Sequence, residues 1–433
     1  MKTNFFNYKR AINFTVVVII LGFVMLAVLL IFSLMIKPAS GPDVSQHFNS
    51  SFLITAADYN KSVLLLSIAE RFAAWALMIV LLALFWKNTK ANSRIAIYQA
   101  AMIFIIFNII MCIAVLPLGY FRGFVLSHRF GLSNQSLWAW FNDVLKDKAI
   151  LIALNSSIMT LLYVLIIKFP KRWWIIAASI LILFFLLGNF VYPVIIDPIF
   201  YNFTVLKDET LQKDISLITE KAGIKVSNVL IADASRKTNT VNAYFYGIGS
   251  TKRIVIYDNL LINHSREEVL SVIAHEVGHW QYRHILFNII IGIAEIILLV
   301  FVFKITESGF RMQTGGPVKN IFQVRNSHQK KSLSESNHSK AVNFGAKNIV
   351  ILFMIYSFLA FIIMPVNNLV SRQFEKQADI AVFELTMNAE AQIKILENLA
   401  ISNLSNVRPG KVLQYFIFSH PPIMDRINSI PDK

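Results

Sequence analysis

Residues 265–284 read SREEVLSVIAHEVGHWQYRH, and the rest of the chain becomes legible from them. At their centre is His275-Glu276-Val277-Gly278-His279, an HExxH pattern. On a helix, His275 and His279 fall one turn apart on one face, so both imidazoles can reach one metal ion. Glu276 lies beside them, placed to take a proton from a metal-bound water. Helix is also what the flanks predict. Ser265 and Glu268 form an S-x-x-E capping box, and Leu270, Ile273 and Val277 repeat at helical spacing. Zinc requires a third protein ligand, which the chain must supply elsewhere.

Working outward, the medium changes. Of 433 residues, 56% are apolar and 35 are Phe, a composition that excludes an ordinary soluble protein. Runs at about 11–36, 62–86, 95–120, 149–168, 173–196, 285–305 and 349–370 are long enough to cross a bilayer, which predicts seven transmembrane helices. Trp173, Trp174 and Tyr192 suit the interfacial belts of the fifth. The first run is too long, and lacks the small-residue cleavage site, for a signal peptide. The single cysteine, Cys112, excludes an internal disulfide. A net charge of +16 fits Lys and Arg gathered in loops beside anionic headgroups, and nucleic acid is not an expected partner. Glu70, Arg71 and Glu295 are costly in lipid and should face a wet cavity, pair with protein or, for the first two, sit at the interface.

Between the fifth and sixth spans, residues 197–284 have the texture of a small α+β segment. Residues 209–222 put Leu211, Ile215, Ile218 and Ala222 on one face of an amphipathic helix, with Gly223 as the stop. Residues 228–232 read as a short strand; 242–246 and 253–257 read as a hairpin turned through Gly247, Gly249 and Ser250. Segment 306–348 is polar and without apolar period, with His328 and His338 expected in solvent.

The segment before span six and the tail at 371–433 are separated by two crossings, so they share one side of the membrane and can share a site. That tail opens with Ser371-Arg372-Gln373-Phe374-Glu375-Lys376-Gln377-Ala378-Asp379. Glu375 and Asp379 are one helical turn apart, suited to a third ligand and a carboxylate that accepts the outer N–H of a ligand histidine. His284 falls outside the i, i+4 frame and is not expected to be a ligand. Which side of the membrane holds the site is open, because the short-loop Lys and Arg counts nearly balance.

SREEVLSVIAHEVGHW, SRQFEKQAD, VNAYFYGIGSTKRIVIYDNLL and SHPPIMDRI together resemble the type I CAAX prenyl protease family, at motif level from about 192 to 427. The resemblance implies seven membrane helices around a chamber, a small zinc-peptidase portion on one side, and one zinc ion per chain. It implies His275, His279 and Glu375 as ligands and Glu276 as catalytic base. Asp379 would orient a ligand or assist proton transfer, His420 would approach the substrate carbonyl, and Arg426 matches an arginine downstream of it. Asn242 and Ala243 match an edge strand that pairs with substrate backbone. The expected partners are the bilayer and peptide or protein substrates, including prenylated ones; a bacterial inner membrane and the endoplasmic reticulum both fit. A broader membrane-protein quality-control zinc protease, and a channel or transporter with an accidental HExxH, stay open as alternatives.

Overall fold

The computed structural model describes residues 2–88, 95–247, 252–313 and 345–431. Its membrane part begins with α1 (Lys2–Leu34), short α2 (Pro42–His47), α3 (Ser50–Asn88) and α4 (Ile97–Tyr120). A π-helical turn leads to α5 (Ser127–Arg129), then α6 (Leu137–Lys168), α7 (Trp173–Val191) and α8 (Asp197–Phe200). The α+β part comprises β1 (Phe203–Val205), α9 (Glu209–Lys221), β2 (Asn228–Ala232), β3 (Ala243–Tyr246), β4 (Arg253–Tyr257), α10 (Asp258–Asn263) and α11 (Arg266–Gln281). Two long helices follow, α12 (His284–Gln313) and α13 (Ala346–Thr386), then α14 (Ala389–Ser402), α15 (Lys411–Ile417) and α16 (Ile423–Asn428).

Among the described residues, six helices are long and apolar enough to cross a membrane: α1, α3, α4, α6, α12 and α13. A seventh crossing results if α7 and residues 192–200, bent by 50°, form one span. Pro193 stands at that break, where its ring and missing N–H interrupt the helical ladder. The mostly helical, multi-pass architecture with a small sheet is thus the one expected. The helices overrun several sequence boundaries. The polar stretch before the second span is already helical in α2 and the start of α3, and α12 and α13 extend into both ends of the 306–348 segment. His328 and His338, and Gly249 and Ser250 of the hairpin turn, lie outside the described residues.

The membrane core is packed by aromatic volume. Trp75 stacks on Phe358 at 3.9 Å between centroids, and Phe104, Tyr163 and Ile355 fill the layers around them. With lipid tails as apolar as the side chains, shape complementarity holds such helices together rather than escape from water. The ionisable groups within it are partnered. Glu70 accepts from Arg122 at 2.9 Å, Arg71 lies 4.7 Å over the Phe361 ring, and Glu295 accepts from Asn367 at 2.7 Å.

The sheet has the order β1-β2-β4-β3, with β2 and β4 parallel and the other pairs antiparallel. Strand β1 was not expected from the sequence: three residues are too few to show alternation. One face of the sheet gives Ile254 and Ile256 to a second core with Ile273 and Val277 of α11 and Ala381, Val382 and Leu385 of α13. Each such buried aliphatic side chain contributes about 1.5–3 kcal/mol. That core fixes α11 between the sheet and the end of α13.

Candidate active site

Local sequence sets α11 first. Ser265 Oγ accepts from the Glu268 N–H while Glu268 accepts from the Ser265 N–H, a reciprocal cap. One face of the helix buries Ile273, Ala274 and Val277, which turns His275, Glu276 and His279 toward the cleft and α13. Gly278 permits the approach. A Cβ there would lie 2.7 Å from the Ala381 Cβ and 3.1 Å from the Ala378 Cα, so only a glycine opposite two alanines lets the helices cross this closely.

At the crossing, donor atoms of His275, His279 and Glu375 lie within 4.8 Å of one another. Among the described residues this is the one such convergence of three or more His, Cys, Asp or Glu side chains. Glu375 Oε2 is 3.1 Å from His275 Nε2, and Glu375 Oε1 is 3.5 Å from His279 Nε2. Behind them, Asp379 Oδ1 is 3.0 Å from His275 Nδ1. Arg426 of α16 donates to both Asp379 oxygens, from Nε at 2.8 Å and Nη2 at 2.6 Å. Arg426, expected at the substrate, therefore has two of its donors on Asp379. His420 stands at the mouth with its side chain 60% exposed and Nε2 3.4 Å from Glu375 Oε1. Asn242, just before the edge strand β3, and Ala243, its first residue, line the same cleft of about 770 Å³ as His275, Glu276, His420 and Arg426.

The buried carboxylates draw positive charge onto His275, while burial and then that charge push His279 down to about 3. Burial opposes a proton on His275, yet the Asp379 and Glu375 carboxylates beside it outweigh that and raise the ring to about 10. Burial pushes the Glu276 carboxyl up to about 7, against the pull of the charges on His275 and Arg426. Glu375 Oε2 is buried and, despite its closeness to His275, has no aligned donor. Two imidazoles and a carboxylate with an unsatisfied oxygen are the donor set that a borderline-soft divalent cation takes.

Sequence reading missed what lies behind His279. Its Nδ1 is 2.9 Å from Nδ1 of His284, whose Nε2 is 2.7 Å from Gln377 Oε1. A continuous helix would carry His284 off this face. Instead α11 ends, and Arg283, with a left-handed φ of 59°, turns the chain so that His284 returns beneath it. The Tyr282 N–H still reaches the Gly278 carbonyl, a C-terminal pattern no local residue type announced.

Comparison with known proteins agrees with this geometry. A family model described as peptidase family M48 matches residues 205–433. A second, described as the CAAX prenyl protease N-terminal region of five membrane helices, matches 36–202. An uncharacterised metalloprotease, YhfN, of Bacillus subtilis is 31% identical over 74% of this chain and 71% of its own length. The chain belongs to peptidase family M48. It is a multi-pass integral-membrane metalloendopeptidase acting on peptides or proteins, and the resemblance to type I CAAX prenyl proteases stands. CAAX prenyl protease 1 of Saccharomyces cerevisiae is 29% identical over 73% of this chain and 68% of its own. The crystal structure of S. mikatae Ste24p shares the fold, with a TM-score of 0.75 at 22% identity, covering 96% of this chain and 98% of that one. An M48 peptidase implies a metal, and the crossing of α11 and α13 offers it the His275, His279 and Glu375 donors.

Proposed function

We propose that this protein is a zinc endopeptidase that hydrolyses peptide bonds near the C-terminus of membrane-associated chains, CAAX-type prenylated peptides among them. The convergence of His275, His279 and Glu375, with Glu276 on the adjoining cleft wall, carries the reading. The donors fit zinc because they are two nitrogens and a carboxylate, three protein ligands that leave a position open. Bound there, zinc supplies a Lewis acid that acidifies water and polarises a scissile carbonyl.

The chain's own residues do the rest. Glu276 takes a proton from the attacking water and delivers it to the departing amine, the work of one carboxylate in two directions. Burial raises the Glu276 pKa above the ordinary carboxylate range, the direction that eases acceptance of the proton from water. Asp379, anchored by Arg426, accepts from His275 and keeps its other nitrogen turned to the metal position. His420, exposed at the cleft mouth, donates to the oxygen on which charge develops. An extended substrate adds to the free edge of β3 at Asn242 and Ala243, held by main-chain hydrogen bonds.

The test compares purified wild type with Glu276→Gln on a set of peptides, each with and without a farnesyl group. Both proteins should hold one zinc, and Glu276→Gln should cleave about 10²–10⁴-fold more slowly. Farnesyl preference assigns CAAX processing, and indifference assigns a broader membrane peptidase. Wild type that binds no zinc and cuts nothing sinks the reading.

A further inference from the structure

The two histidines at the crossing are supported from behind by different chemistry. His275 leans on the carboxylate of Asp379, whereas His279 leans on another imidazole. His284 is 2% exposed, stacked on Phe374 with ring centroids 4.3 Å apart and planes 13° apart. The Tyr282 ring also lies near-parallel to it, at 5.8 Å and 17°. The aromatic rings fix the plane of this imidazole, so its two nitrogens can address only what lies in that plane: His279 on one side and Gln377 on the other.

The hydrogens can then be placed in order. The Gln377 amide oxygen only accepts, so His284 Nε2 carries a hydrogen and donates at 2.7 Å. A neutral imidazole has one N–H, which leaves His284 Nδ1 as an acceptor. The hydrogen in the 2.9 Å Nδ1 to Nδ1 contact therefore belongs to His279. His279 Nε2 is left bare, and it is the nitrogen that faces Glu375 Oε1 at 3.5 Å and His275 Nε2 at 3.2 Å.

We propose that His284 is a positioning residue: with Gln377 it holds His279 in the Nδ1–H tautomer, its Nε2 lone pair aimed at the metal position. The inference rests on the zinc reading above and goes beyond it. A carboxylate behind a ligand histidine both orients it and raises its basicity, while a neutral imidazole orients without adding charge. His275 is thus the more electron-rich ligand and His279 the directional one. The left-handed turn at Arg283 is what makes the arrangement available, because it folds His284 back under the helix that carries His279.

Zinc retention separates this relay from simple packing. The full-length zinc protein in detergent is challenged with excess chelator and its remaining zinc measured over time. His284→Phe keeps a ring beside Tyr282 and Phe374 but removes both nitrogens, and should weaken zinc retention by about 10–100-fold. Gln377→Leu should move in the same direction, and since Gln377 is exposed its loss does not threaten the core. Gln377→Glu keeps an acceptor and should restore wild-type retention. Phe374→Leu, which loosens the stack but removes neither hydrogen bond, should lose zinc more slowly than His284→Phe does. The proposal is overturned if His284→Phe and Gln377→Leu both hold zinc as wild type does, or if Phe374→Leu loses it as readily as they do. A wild type without zinc would instead sink the metalloprotease mechanism itself.

Discussion

Helix α13 is one helix in two media, and its halves follow different rules. From Ala346 to Phe361 it presents Ile349, Leu352, Ile355 and Phe358 to the aromatic core of the membrane helices. There, volume is what matters, and neighbours can adjust rotamers around a change. From Arg372 onward it presents Glu375 and Asp379 beside the small residues Ala378 and Ala381. There the backbone approach to Gly278 and each hydrogen bond matter individually. Bulk specifies the first half; atomic positions specify the second.

Substitutions can test how sharp that division is. Asp379→Ala should be the most damaging, because it strands the Arg426 guanidinium in a buried setting and removes the acceptor of His275. Breaking a buried pair this way costs about 3–5 kcal/mol, to be read from thermal unfolding in detergent alongside zinc content. Stability within error of wild type would show that Arg426 finds water instead. Gly278→Ala should come next. Its methyl, 2.7 Å from the Ala381 Cβ, forces α11 and α13 apart at a cost of about 1–3 kcal/mol. Displacing Glu375 from the two histidines should lower peptidase activity on the order of 10²-fold. Phe358→Leu should matter least to function. Losing the stack on Trp75 should cost about 1–2 kcal/mol with activity unchanged. If Phe358→Leu lowered activity as far as Gly278→Ala, the halves of α13 would have to be treated as one coupled unit.

What was legible in the sequence follows the same division. The apolar runs announce the membrane helices because lipid demands length and composition, which a chain carries openly. The helix bearing His275, Glu276 and His279 is legible because the Ser265–Glu268 cap and the apolar period are local. Glu375 and Asp379 were reachable only through spacing and membrane side, and then through resemblance. The pairing of Asp379 with Arg426 spans 47 residues and two intervening helices, and no local pattern encodes it. His284 was set aside because helical arithmetic assumes the helix continues, whereas Arg283 ends it with a backbone angle that any residue type but glycine pays about 1–2 kcal/mol to adopt. The order β1-β2-β4-β3 was equally hidden, since a parallel β2–β4 pair depends on a crossover rather than a turn signal.

One long helix separates the two histidines from Glu375 in the chain: α12 leaves the side on which they lie, and α13 must return before Glu375 meets them. A ribosome delivers these parts in sequence, so a chain that has emerged only through α11 owns two of the three donors of the candidate metal site. It becomes a complete centre only once the last two membrane crossings have been made. On the proposed zinc reading, insertion itself is a safety catch, and a copy stalled in assembly is not loose as a protease among the unfolded chains around it.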